Sequence, residues 1–260
     1  MTMKENIKLA VTGKGGVGKT TIAALLCKAF SERGFMVLAV DADPSANLAS
    51  ALGFPEEMAI TPLVEMRELI EERTGAAPGS SGGLLKLNPH VADLPEKLWR
   101  ENDGIRLMVM GTVKKGGGGC MCPESIILKA MIQNLFLLRK EAVILDMEAG
   151  VEHLGRATAQ AVDQLIVVVE PGKRSIETAF RIRDLAKDIH LSKLSVIVNK
   201  VRDDADIDFV KKNCVGLPIS GYLMFDQAIV ASDQERVPPW SLSAQALVTM
   251  RAMAEKLIES

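Results

Sequence analysis

The segment that decides the fold is Gly13-Lys14-Gly15-Gly16-Val17-Gly18-Lys19-Thr20-Thr21, which fits the pattern G-x-x-x-x-G-K-T. An apolar run at Asn6–Thr12 precedes it and predicts a strand, and a helical pattern at Lys19–Arg33 follows it. Glycines allow consecutive backbone N–H groups to point inward around phosphate oxygens, and the positive end of the helix adds to that attraction. Strand, loop and helix together predict a phosphate-binding loop.

The polar side chains of this loop have distinct expected roles in binding a nucleotide. Lys19 supplies positive charge to the β- and γ-phosphate oxygens, and Thr20 supplies a hydroxyl ligand for Mg²⁺. Thr21 is placed to reach the α-phosphate. We therefore predict ATP and Mg²⁺ as cofactors, and the residues of the loop that bind them are Gly13, Gly15, Gly16, Val17, Gly18, Lys19, Thr20 and Thr21.

The rest of the chain alternates apolar runs with helical patterns, and most of residues 78–104 is predicted to be surface loop. The apolar runs are continuous, which is typical of strands buried on both faces of a sheet. This predicts an α/β fold, a doubly wound and mostly parallel sheet with helices on both faces, as a single domain over residues 1–260. Further strands are predicted at Phe35–Asp41, Ile105–Gly111, Ala142–Asp146, Gln164–Val169, Leu194–Asn199 and Pro218–Leu223, and helices at Thr61–Arg73, Pro123–Lys140, Ser175–Ile189, Ile207–Lys212 and Ser243–Ile258.

The charge balance argues against two classes of partner. The 260 residues carry a formal net charge of −2, so no basic excess exists to attract nucleic acid or an anionic membrane. No apolar run approaches the roughly 20 residues that span a bilayer, and the first residues do not resemble a signal peptide. We therefore expect a cytoplasmic protein that binds neither nucleic acid nor membrane.

Carboxylates and an amide follow the predicted strands. Asp41 and Asp43 come at the end of the second strand, and Asp146 ends the strand that begins at Ala142. The carboxyl ends of parallel strands face the ligand, where a carboxylate can order metal-bound or attacking water. Asp146 is predicted to hold Mg²⁺ through water. Asn199 follows another strand, and its amide is suited to the edge of an adenine.

A pair of cysteines, Cys120 and Cys122, follows four consecutive glycines. In extended backbone their Cα atoms would lie ~6.5–7 Å apart on the same side, so two thiolates can converge on one metal ion. A tetrahedral site takes four ligands, which a twofold dimer would supply from two such pairs. Four thiolates suit Zn²⁺ if tetrahedral and Ni²⁺ if square-planar. The alternatives are two small buried thiols, or an iron–sulfur cluster bridging two subunits.

The loop sequence G-K-G-G-V-G-K-T-T resembles that of the deviant-Walker ATPases, a group that includes MinD, ParA, the nitrogenase iron protein and the nickel-accessory ATPases. The resemblance implies a nucleotide-linked homodimer in which Lys14 acts on the nucleotide of the partner subunit. It also implies that Asp43 positions the attacking water and that Asp41 lies near the Mg²⁺ shell. The catalytic residues would then be Lys14, Lys19 and Asp43, with Asn199 on the base and Lys200 beside it.

Further segments resemble the nickel-accessory ATPases of the CooC and AcsF type, which mature carbon monoxide dehydrogenase and acetyl-CoA synthase. They are G-C-M-C-P-E (119–124) and D-M-E-A-G-V-E-H-L-G-R (146–156). This resemblance implies that the cysteine pair binds nickel at a dimer interface and that ATP hydrolysis is coupled to nickel delivery. The competing functions are a MinD- or ParA-like positioning ATPase on membrane or DNA, and an iron–sulfur electron donor.

Overall fold

A single sheet organises the computed structural model, which describes residues 6–43, 45–80, 85–111, 122–134, 141–148, 162–191 and 193–259. Eight strands of this part of the chain pair in the order β3-β4-β2-β5-β1-β6-β7-β8. All pairs are parallel except β3 with β4. The strands are β1 Ile7–Gly13, β2 Met36–Ala42, β3 Arg100–Asn102, β4 Ile105–Val109, β5 Glu141–Met147, β6 Gln164–Val169, β7 Leu194–Val201 and β8 Ile219–Met224.

Helices cover both faces of this sheet. On one face the central helix α1 packs against the C-terminal helix α10, and on the other face α3 packs against α5. The described helices are α1 Lys19–Glu32, α2 Leu48–Ala51, α3 Arg67–Thr74, α4 Leu94–Leu98, α5 Pro123–Asn134, α6 Lys173–Asp188, α7 Asp204–Asn213, α8 Gln227–Glu235, α9 Pro239–Leu242 and α10 Ala244–Glu259.

The strands form two hydrophobic cores because their side chains alternate between the faces. Every residue of β6 is buried, with Ile166 and Val168 in the core under α1, and Leu165 and Val167 in the opposite core. Continuous apolarity in the sequence thus reflects burial on both faces, as predicted for a doubly wound sheet. The expected α/β fold is confirmed.

The C-terminal helix α10 has its apolar residues in the core. Met250, Ala254 and Leu257 are buried at no more than 1% exposure, in the core that also contains α1. These side chains are therefore unavailable to insert into a lipid surface. No helix within the described ranges combines the length and apolarity needed to cross a bilayer.

Two predicted segments differ from the structure. Residues 78–104 contain α4 and β3 as well as loop, because Val91 and Leu94 bury their side chains while Arg73 binds both carboxylate oxygens of Asp93, at 2.9 Å each. The helix predicted at Thr61–Arg73 is instead a 3₁₀ turn at Leu63–Glu65 followed by α3. The glycine run and residues 135–140 of the predicted helix Pro123–Lys140 lie outside the described residues, and α2, α8 and α9 were not predicted.

Candidate functional site

The phosphate-binding loop connects β1 to α1 at the edge of the sheet where the parallel strands end. Gly16 and Gly18 have φ angles of 81° and 90°, a region that favours glycine. A Cβ atom at Gly18 would lie 2.3 Å from Nδ2 of Asn199, and one at Gly13 would lie 2.3 Å from the carbonyl oxygen of Val168. Gly18 therefore requires glycine for both its conformation and its close packing, Gly13 requires it for its close packing, and Gly16 requires it for its conformation.

A cavity of about 640 Å³ opens beside this loop. Its volume lies within the range of ~300–1,000 Å³ that is usual for small-molecule sites. Loop residues form one wall, the segment after β2 and Glu148 form a second, and the ends of β7 and β8 form the rest. The predicted site residues among those lining it are Gly15, Gly16, Gly18, Lys19, Thr20, Thr21, Asp43, Asn199 and Lys200.

Thr20 and Asp146 meet at the bottom of the site. The Thr20 hydroxyl donates to Oδ2 of Asp146 at 2.7 Å, and Asp146 is only 1% exposed. Burial raises the pKa of Asp146 to about 7, against a smaller lowering by the Thr20 hydrogen bond. Its Oδ1 is buried with no hydrogen-bond partner in the part of the chain that is described. A cation here would keep the carboxylate ionised and give Oδ1 a partner, so these residues fit Mg²⁺.

Asp41 lies on β2 directly beside Asp146 in the sheet register and is fully buried. Its two carboxylate oxygens accept the backbone N–H groups of Asp43 at 3.1 Å and of Leu48 at 3.0 Å. Burial raises the pKa of Asp41 to about 6. The side chain thus holds the turn from Asp43 to Leu48 against the end of β2. Its predicted position in the Mg²⁺ shell stays a prediction.

Asp43 lines the cavity, and its Oδ1 accepts the backbone N–H of Ser45 at 2.9 Å. This contact fixes the carboxylate within the turn that α2 follows, on the wall across from the loop. Asp43 is therefore available at the cavity, and its role toward an attacking water stays a prediction.

The end of β7 contacts the phosphate-binding loop directly. Nδ2 of Asn199 donates to the carbonyl oxygen of Val17 at 2.8 Å, and Nζ of Lys200 donates to that of Gly16 at 2.6 Å. Asn199 is 6% exposed. One N–H of its amide nitrogen is thus bound to the loop, and the second N–H and Oδ1 remain for the predicted contact with a base.

The sequence analysis did not find the far wall of the cavity. Met224 ends β8 and Phe225 follows it, and they are 48% and 45% exposed although both are large and apolar. Such a wall suits the flat face of a nucleobase. The available signal was their place directly after the predicted strand Pro218–Leu223, but no role was predicted for either residue. The other cavity residues of this region are Asp226, Ile229, Val230 and Asp233.

Among the described residues, several predicted site residues do not line this cavity. Gly13, Val17, Asp41 and Asp146 lie next to it in the loop and at the strand ends, whereas Lys14 and Cys122 contribute nothing to its lining. Lys14 is half-buried and does not line it. Cys122 is partly exposed and directly precedes α5, where its carbonyl oxygen accepts the N–H of Ile126 at 3.1 Å. Cys120 lies outside the described residues. Among those that are described, no group of three or more His, Cys, Asp and Glu side chains is placed to hold a metal ion.

Comparison with known proteins places this site in a family. The model of the CobQ/CobB/MinD/ParA nucleotide-binding domain matches residues 8–239. The carbon monoxide dehydrogenase accessory protein CooC of Rhodospirillum rubrum is 43% identical over 255 residues, which cover 97% of each chain. An uncharacterised ATP-binding protein of Methanocaldococcus jannaschii is 47% identical over 230 residues, or 87% of this chain and 88% of that one.

Solved structures share the fold at lower identity. MinD of Aquifex aeolicus superposes with a TM-score of 0.69 and 21% identity, covering 98% of this chain and 97% of that one. MinD of Pyrococcus horikoshii in complex with Mg-ADP gives a TM-score of 0.66 and 23% identity, covering 98% and 96%. The chain therefore belongs to the CobQ/CobB/MinD/ParA nucleotide-binding family, and within it to the CooC-type ATPases.

Proposed function

We propose that this ATPase is a metallochaperone that binds Ni²⁺ at a thiolate site shared between two subunits and assists nickel insertion into carbon monoxide dehydrogenase or acetyl-CoA synthase. The observation that carries the proposal is the identity of 43% with a carbon monoxide dehydrogenase accessory protein over 97% of both chains, in a sequence that contains the pair Cys120 and Cys122. The proposed location is the cytoplasm.

The ATPase part of the cycle uses the residues of the cavity. Mg²⁺ would be held by Thr20 and, through water, by Asp146 and Asp41, and it supplies charge to the phosphates. Lys19 is 8% exposed, so its ammonium group acts on the γ-phosphate with little screening by water. In this proposal Asp43 orients the attacking water, and Lys14 acts on the nucleotide of the partner subunit.

The proposed metal site includes Cys122, which lies at the start of α5. Cys122 directly precedes Pro123, the first residue of this twelve-residue helix. Sulfur is a soft ligand, which suits Ni²⁺ and Zn²⁺. Two pairs of cysteines around a twofold axis would give four sulfurs. Square-planar coordination selects Ni²⁺, while a tetrahedral arrangement would admit Zn²⁺ to the same site.

Nucleotide and metal are linked in this proposal because each binds groups of both subunits. A ligand that binds across the dimer favours the dimer, so bound ATP tightens nickel binding and bound nickel tightens ATP binding. Hydrolysis removes the γ-phosphate and weakens the dimer. The nickel is then released to the client enzyme.

The oligomeric state of the reduced, metal-free protein, measured by sedimentation velocity, tests this proposal. We expect monomers without ligands, partial dimer with either a non-hydrolysable ATP analogue or Ni²⁺, and complete dimer with both. Lys14→Ala should weaken the dimer that forms with nucleotide. It should not change the dimer that forms with Ni²⁺ in the absence of nucleotide. The matched control is Lys211→Ala on the exposed side of α7, which should change neither. Monomers under all conditions would contradict the proposal.

A further inference from the structure

Two consecutive residues at the end of β7 bind two consecutive carbonyl oxygens of the phosphate-binding loop. Asn199 donates to Val17 at 2.8 Å, and Lys200 donates to Gly16 at 2.6 Å. In a regular strand successive side chains point to opposite faces of the sheet. Asn199 and Lys200 would then be unable to reach the same loop, so the backbone here must depart from a regular strand.

The departure is visible in the backbone of β7. The pairing of β7 with β8 shifts register between Val198 and Val201, which is where Asn199 and Lys200 lie. Lys200 has a φ angle of 59°, in the left-handed region that residues other than glycine seldom adopt. A bulge with such a residue re-aims a side chain, and bulges of this kind occur beside functional sites. Here the bulge turns Lys200 onto the loop.

A carboxylate holds the ammonium group of Lys200 in this place. Oε2 of Glu170, the residue that follows β6, lies 3.4 Å from Nζ of Lys200. The backbone N–H of Glu170 donates to the hydroxyl of Ser175 in α6 at 3.1 Å, which fixes Glu170 itself. Lys200 therefore bridges the neighbouring strand end and the loop, and its charge is offset before any nucleotide binds.

We propose that Lys200 is a positioning residue for the phosphate-binding loop, rather than a nucleotide ligand, and that Glu170 keeps its ammonium group on the Gly16 carbonyl oxygen. Phosphate is held by backbone N–H groups that converge on it. Tying carbonyl oxygens of the loop to the end of β7 fixes the loop in the shape that binds phosphate before ATP arrives. This inference rests on the ATPase site and is independent of nickel.

The two possible roles of Lys200 predict opposite effects of Glu170→Gln. If Lys200 positions the loop, loss of the carboxylate loosens Lys200 and weakens ATP binding. If Lys200 is a phosphate ligand, loss of the competing carboxylate frees its charge and tightens ATP binding. The sign of the change in ATP affinity therefore separates the two roles.

Calorimetric titration with a non-hydrolysable ATP analogue and Mg²⁺ measures this sign. We expect Lys200→Met to weaken binding about 10- to 100-fold, the equivalent of one charged hydrogen bond, and Glu170→Gln to weaken it by a smaller factor. The double variant should bind no more weakly than Lys200→Met, because both changes remove the same contact. Lys173→Met, an exposed lysine at the start of α6, is the charge-matched control and should bind as the parent protein does.

Hydrogen exchange on the nucleotide-free protein provides a second readout. If Lys200 only bound the phosphates of ATP, its replacement would not change the exchange of the loop amides in the absence of ATP. We expect the amides of residues 18–20 to exchange faster in Lys200→Met, with partial protection restored in Lys200→Arg. If Lys200→Met does not fold, the sign for Glu170→Gln decides alone. Tighter ATP binding in Glu170→Gln, or unchanged exchange in a folded Lys200→Met, would overturn the inference. Nickel is absent from both measurements, so failure of the metallochaperone proposal would leave these results unchanged.

Discussion

Replacing Lys19 by methionine is expected to lower kcat/KM for ATP hydrolysis about 10²- to 10³-fold, the usual cost of removing one charged or hydrogen-bonding group from a developing negative charge. Lys19 begins α1 and lines the cavity while being only 8% exposed. Water therefore replaces little of the stabilisation that its ammonium group gives to the phosphates. Methionine keeps the length and apolar stem of the side chain, so the loss reports on the charge.

A second lysine of the same helix serves as the control for this variant. Lys28 forms an ion pair with Asp103 at 2.8 Å, and 66% of the Asp103 side chain is exposed. Lys28→Met should leave hydrolysis unchanged, because Lys28 does not line the cavity. Steady-state hydrolysis with saturating Mg²⁺ measures both variants. A Lys19→Met protein that is folded and retains more than about a tenth of the parent kcat/KM would contradict the assigned role.

Replacing either Cys120 or Cys122 by serine is expected to abolish tight nickel binding. A serine hydroxyl is not ionised at neutral pH and is a hard oxygen ligand, whereas the site needs soft thiolates. In a twofold dimer one substitution removes two of four sulfurs, so each single variant should lose the site as completely as the double variant. Equilibrium dialysis of the reduced protein against Ni²⁺, with a non-hydrolysable ATP analogue present, measures the loss.

Cys214 provides a matched control for the cysteine variants. Its side chain is buried, 3% exposed, and burial raises the pKa of its thiol, so it stays protonated and is a poor metal ligand. Cys214→Ala should keep the full nickel affinity. Retention of tight nickel binding in either Cys120→Ser or Cys122→Ser would exclude the shared thiolate site.

The sequence predicted most of the sheet because its strands are buried on both faces and therefore continuously apolar. It failed where tertiary contacts decide the structure. The helix α4 and the strand β3 form within a polar segment because Leu94 becomes buried and Asp93 pairs with Arg73, a residue distant along the chain. No local pattern contains that information.

The phosphate-binding loop could be predicted because the residues that form it are consecutive in the sequence. The hydrogen bond of Thr20 to Asp146, by contrast, was not predicted. It follows from the adjacency of β1 and β5, and the sequence predicted only that both residues lie at the Mg²⁺ site. The contact of Lys200 with Gly16 depends on a bulge and a left-handed backbone, which the apolar run of β7 does not reveal. The apolar wall of the cavity at Met224 and Phe225 was missed for a similar reason, because apolar residues at the end of a strand resemble ordinary core.

Nickel affinity as a function of the bound nucleotide tests the central claim most directly. Ni²⁺ is titrated into reduced, metal-free protein that contains a non-hydrolysable ATP analogue, ADP or no nucleotide, each with Mg²⁺. The account predicts about one tight nickel per dimer with the ATP analogue, and an affinity at least about fivefold weaker with ADP, the lower bound of common coupling energies. Equal nickel affinity in all three states would contradict it, because hydrolysis would then have no means of releasing the metal.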